Sequence, residues 1–228
     1  MQQDNVDQHI LDAQRVDLND PQPILSQALR IAAWDEFDAY NTYSNVTAKF
    51  GNVLPFSNII NSEINHYNEM IGLMQKYGIQ APVVQQKQIE LPDTLQECCE
   101  IAVAAEIDNV ALYNNLLAHV QEADVRDLFY RVQAASYNSH LPAFRNCVMS
   151  FYNQNTNQNM NMQSENKMLE NVQQYQALIE DAMNGNVDQN RLMSMLSNMN
   201  YSLIGGLLVG ALGSFTVNNL VNKEETQE

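Results

Sequence analysis

The chain has 228 residues, enough for one good core with appendages, and only eight glycines and six prolines to interrupt helices. Its formal net charge of −16, from 27 acidic against 11 basic residues, would repel a phosphate backbone along most of the surface, so no nucleic-acid partner is expected. Abundant Gln, Asn, Ala, Leu and Met, with long runs free of breakers, predict an all-α protein.

Residues 1–23 mix Asp, Gln and Asn with scattered Ile10, Leu11 and Val16, and read as an N-terminal arm with one short helix. Pro21 and Pro23 punctuate the start of a long helix over 24–50. Along it Leu25, Leu29, Ala32, Glu36, Ala39, Tyr43, Val46 and Phe50 alternate three and four apart, a buried seam with one carboxylate in it. Residues 51–56 are a short connection, so the second helix, over 57–77, should run back antiparallel.

In that second helix Ile59, Glu63, His66, Met70, Leu73 and Tyr77 share one face, which turns Glu63 and His66 inward. A buried carboxylate is costly unless paired or bound to a cation, and Glu-x-x-His on a bundle helix is a ligand pattern of carboxylate-bridged di-metal proteins. The plainer alternative is a hydrogen-bonded core histidine with Glu63 at the edge of the stripe. The helix stops at Gly78.

A Gln-rich connector between Gly78 and Asp93 follows, bounded by Pro82 and Pro92. Its roughly fourteen residues reach about 45 Å when extended, against about 30 Å for a helix of this length. It can cross the whole bundle and set the third helix parallel to the second. That third helix, opened by Pro92 and Asp93, carries Leu95, Cys99, Ala102, Glu106, Asn109, Tyr113, Leu116 and Val120 on its seam. The fourth carries Phe129, Val132, Ser136, His140, Phe144, Cys147 and Phe151, with Pro142 predicting a kink beside His140.

Counting outward from the first turn leaves Glu36 about eight residues, or roughly 12 Å, off the level of Glu63. Either the first helix ends before Phe50, or a nearer group such as Tyr43 faces Glu63. The cysteines, Cys98, Cys99 and Cys147, make no CxxC and read as reduced core or interface residues rather than a disulfide framework. The N-terminus lacks the basic start and apolar run of a signal peptide, so a cytoplasmic location is expected.

Residues 153–163 form an Asn/Gln-rich linker by composition, and 164–199 read as accessory helices. Residues 200–221 are apolar, with Gly206, Gly210 and Ser214 at the four-residue spacing that lets helices approach closely, and 222–228 are a charged tail. The apolar segment is short for a membrane span. Homo-oligomerisation through it is the favoured expectation, with docking on the chain's own bundle, membrane association and a targeting role as the alternatives.

With Glu36, Glu63-x-x-His66, Glu106 and His140 on four successive helices, the chain resembles the ferritin-like superfamily. The wording around Phe56-Ser57-Asn58-Ile59, Ser62-Glu63, Tyr77-Gly78-Ile79, Ala105-Glu106-Ile107-Asp108 and Ser139-His140-Leu141-x-Ala143-Phe144 resembles a rubrerythrin-like bacterial and archaeal family of uncharacterised function. The resemblance covers residues 24–152. It implies a ferritin-like four-helix bundle with a long crossover, and two iron or manganese ions per chain held by Glu36, Glu63, His66, Glu106 and His140. It also implies reaction with dioxygen or peroxide, as an oxidoreductase or ferroxidase. The superfamily's second Glu-x-x-His needs an acid at position 137, where this chain has Tyr137. A structural or interaction protein with a degenerate metal site, assembling through its C-terminal helices, therefore stands as the alternative, and a metal-free polar network as the third.

Overall fold

The computed structural model describes residues 5–156, and among these the chain is all-helical. Its elements are α1 (Gln8–Ala13), α2 (Ile24–Phe50), α3 (Phe56–Tyr77), α4 (Leu95–His119), α5 (Ala123–Ala135), a π-helical turn (Ser136–His140) and α6 (Leu141–Thr156). The last three follow one another without a break. The accessory helices, the apolar glycine-spaced segment, the charged tail and most of the expected linker lie outside the described residues. Among the described residues no helix is long and apolar enough to cross a membrane.

Local chemistry accounts for the helix ends. Thr94 caps α4 in a capping box, its hydroxyl taking the Glu97 N–H while the Glu97 carboxylate takes the Thr94 N–H. Pro92 and Asp93, the start signals read from the sequence, directly precede it. Gly78, at φ 66°, closes α3 in the left-handed conformation that side chains resist.

Contacts at the helix ends fix their directions. Lys76 and Tyr77, at the end of α3, bind Asp124 at the start of α5, directly after α4 ends. Lys49, at the end of α2, donates to the carbonyls of Leu91 and Pro92 just before α4 begins. The last turns of α3 and α4 therefore lie at one end of the molecule and their first turns at the other.

The connector between α3 and α4 has no regular structure, and asparagine side chains satisfy part of its backbone. Asn5 takes the Val83 N–H and donates to the Val83 carbonyl; Asn41 takes the Lys87 N–H; Asn45 donates to the Lys87 carbonyl and takes the Ile89 N–H. The N-terminal arm is held by Ile10 and Leu11, both buried, and by a buried ion pair between Asp7 and Arg30.

Two apolar clusters fill the interior. One contains Ala28, Leu29, Ile31, Ala32, Ala33, Met70, Met74, Tyr113, Leu116, Val125, Phe129 and Val132; the other contains Tyr43, Val46, Phe56, Ile59, Cys99, Ala102, Phe144 and Val148. On α2, on α3 and along the α5–α6 run, the stretch between the two clusters carries the inward polar groups: Glu36, then Glu63 and His66, then Ser136 and His140. Glu106 on α4 faces the same gap.

The second cluster corrects the cysteine reading. Cys99 and Cys147 face each other from α4 and α6 with Cα atoms 6.1 Å apart and form a disulfide, while Cys98 is a buried thiol. Their separation of 48 residues gives no local signal, because the pairing depends on how α4 and α6 align.

Candidate metal centre

The five sequence-predicted residues come together in the gap between the two clusters. Glu36, Glu63, Glu106 and His140 are buried and His66 is half-buried. They form two groups that share one member, Glu36 with Glu63 and His66, and Glu63 with Glu106 and His140; within each group the ligand-type atoms all lie within 4.8 Å of one another.

Glu63 joins the halves through its two oxygens. Oε2 lies 3.2 Å from His66 Nδ1, and Oε1 lies 3.0 Å from His140 Nδ1. Glu36 Oε2 is 3.0 Å from His66 Nδ1, and Glu106 Oε2 is 3.5 Å from His140 Nδ1. The long first helix does end at Phe50, yet Glu36 lies within reach of both Glu63 and His66, so the offset of roughly 12 Å expected from counting residues is absent.

Tyrosines hold the outer oxygens. Tyr113 donates to Glu36 Oε1 at 2.6 Å and Tyr43 donates to Glu106 Oε1 at 2.7 Å. Helix α2 supplies Glu36 and Tyr43, α4 supplies Glu106 and Tyr113, and each tyrosine serves the other helix's glutamate. Asn109 adds a donor to Glu36 at 3.4 Å and one to Asp35 at 2.8 Å, and accepts from Ser136 at 2.8 Å.

Neighbouring charges shift one another. Burial raises the Glu36 carboxyl to about 7 despite the His66 hydrogen bond. Burial also works against the Glu63 carboxylate, but the imidazoles of His140 and His66 beside its two oxygens outweigh it and hold the group below its ordinary value. Burial opposes both imidazolium ions, yet the carboxylates of Glu36 and Glu63 raise His66 to about 9, and those of Glu106 and Glu63 raise His140 to about 10. Burial and the neighbouring glutamates push both tyrosine hydroxyls well above their usual range, so each stays a donor.

The π-helical turn places His140. Steps of four residues along an α-helix drift by about 40° each; the wider turn, with hydrogen bonds reaching five residues, returns His140 to the buried face of Val132 and Ser136. Pro142, which has no N–H for the Asn138 carbonyl, stands two residues beyond His140, and the disturbance expected there takes this form. Tyr137 packs against the second apolar cluster.

Sequence reasoning missed Asp35, Ser62 and the role of Tyr113. Asp35 and Ser62 each precede a glutamate and lie beside the apolar stripe rather than on it. Tyr113 had a readable signal: it follows Glu106 by the same spacing at which Tyr43 follows Glu36.

The donor set fits a pair of hard or borderline cations. Carboxylate oxygens and imidazole nitrogens suit iron and manganese alike. Buried His140 Nδ1 has no hydrogen-bond partner among the described residues, although it faces two carboxylates. Such an atom is costly unless something binds it.

A family model described as an uncharacterized protein domain (DUF2202) matches residues 28–171. No curated protein and no solved structure matches the chain.

Proposed function

The chain belongs to the DUF2202 family, and from that premise we propose that its helices form a ferritin-like four-helix bundle around a two-metal centre held by carboxylates and histidines. The observation that carries this reading is the sharing of Glu63 between two three-residue groups. Glu36 and His66 would hold one ion, Glu106 and His140 the other, and Glu63 would bridge them. Iron is the favoured metal, with manganese served by the same donors. Bound there, such a pair supplies redox chemistry with dioxygen or peroxide, so the activity proposed is that of an oxidoreductase or ferroxidase of rubrerythrin type.

The chain's own residues have defined parts in this. Tyr43 and Tyr113 bind the outer oxygens of Glu106 and Glu36 and leave the inner oxygens free to face the centre. The apolar clusters on either side limit water to what the half-buried His66 side admits.

Oxidation of added ferrous iron in air tests the activity. The full chain should oxidise it faster than buffer, and Glu63→Ala should return the rate to that of buffer. Equal rates for chain and buffer would reject the enzyme. Tyr137, standing where a fourth carboxylate would complete the set, favours the second reading, a structural protein with a degenerate site. In it the C-terminal helices and the Gly206, Gly210 and Ser214 ridge would assemble copies of the chain.

A further inference from the structure

Both histidines turn Nδ1 toward carboxylates, and their remaining nitrogens meet at one hydroxyl. Ser62 Oγ lies 3.3 Å from His66 Nε2 and 3.2 Å from His140 Nε2. The rings sit 6.0 Å apart and tilt by 31°, so the hydroxyl is wedged between their outer edges. Ser62 reaches His66 along its own helix, one turn on, and His140 across to the neighbouring helical run.

An imidazole that gives Nδ1 to a cation keeps its proton on Nε2, and the group accepting that proton fixes ring orientation and tautomer. A serine hydroxyl offers two acceptor lone pairs. One oxygen can therefore take both Nε2–H groups at once, provided its own proton points away from both rings. Under the two-metal reading above, on which this rests, we infer that Ser62 is a positioning residue that holds His66 and His140 together with Nδ1 of each directed at the centre.

The matching serine on the other helix does not share the task. Ser136 stands four residues before His140 as Ser62 stands four before His66, but its hydroxyl donates to Asn109 Oδ1 at 2.8 Å. A single hydroxyl thus serves both halves of the centre, and its loss should weaken both. A neutral acceptor also suits a site with three glutamates, because a carboxylate in its place would add a further negative charge.

The test uses the full chain with 15N-labelled histidine, first stripped of metal. In long-range proton–nitrogen spectra Ser62→Ala should move the Nε2 signals of both His66 and His140, and Ser62→Thr should restore both. Ser136→Ala is the matched control and should leave both in place. A change confined to one ring, or none, overturns the shared role. Cobalt(II) is then added. The wild type should take up two ions, Ser62→Ala should bind both about 10- to 100-fold more weakly, and Ser62→Thr should recover most of the loss. Unchanged cobalt affinity in Ser62→Ala overturns the positioning role. A wild-type chain that takes up no cobalt overturns the metal reading itself, and the imidazole spectra still decide whether Ser62 holds both rings.

Discussion

Glu63 Oε1 lies 3.0 Å from His140 Nδ1, yet no hydrogen bond joins them, while the other oxygen of Glu63 faces His66 at 3.2 Å. Glu63 is the one carboxylate common to both groups, which makes the three glutamates unequal. Glu63→Ala should remove both metal equivalents from the chain, whereas Glu36→Ala and Glu106→Ala should each spare more. Elemental analysis of the three variants checks the order, and equal losses in all three would refute the bridging role.

The tyrosine pair gives a prediction about stability. Tyr43 and Tyr113 are buried and each donates to a buried carboxylate, an interaction worth about 1.5–3 kcal/mol. Tyr43→Phe and Tyr113→Phe keep the ring contacts with Phe56 and Phe129. Each should therefore cost about 2 kcal/mol in denaturant unfolding of the metal-free chain. A loss below about 0.5 kcal/mol would show that the hydroxyls do not hold the carboxylates.

How far the sequence spoke depended on whether a feature repeats locally. Glu36, Glu63, His66, Glu106 and His140 were legible because each interrupts an apolar stripe at helical spacing. The bounds of α2 and α3 were legible from Pro23 and Gly78. Ser62 and Asp35 were not, since both sit beside the stripe and their roles appear only when a second helix arrives. The level of Glu36 was misjudged because counting residues from a turn ignores the stagger of the two helices. Pro142 announced a disturbance but not its form, which is set by the carbonyls it leaves without an N–H.

The cysteines divide into a cross-linked pair and a buried thiol. Burial raises the Cys98 thiol to about 11, so it should resist iodoacetamide in the folded chain. Unfolding without reductant should expose one alkylatable thiol per chain, and unfolding with reductant all three. Closing a loop of this length should be worth about 4 kcal/mol, read as the fall in unfolding free energy of Cys99→Ala/Cys147→Ala. Three reactive thiols before reduction would contradict the disulfide.

Asp124 ties the end of α3 to the start of α5, and hydrogen bonds from Lys76 and Tyr77 hold its carboxyl down to about 2. A depressed folded-state value stabilises the chain above the unfolded value near 4 and loses that effect as pH falls toward 2. Asp124→Asn should therefore unfold at lower denaturant than wild type at pH 6, with the gap closing by about pH 2. A gap that is constant with pH would assign the effect to something other than the ion pair.

The central claim is that the buried carboxylates and histidines hold two metal ions, and metal content is its most direct measure. Full-length chain purified without chelator should carry about two equivalents of iron or manganese, lost together in Glu63→Ala while helical content persists. A wild-type chain with no bound metal, after incubation with either ion, would contradict the claim and leave the cluster as a hydrogen-bonded network.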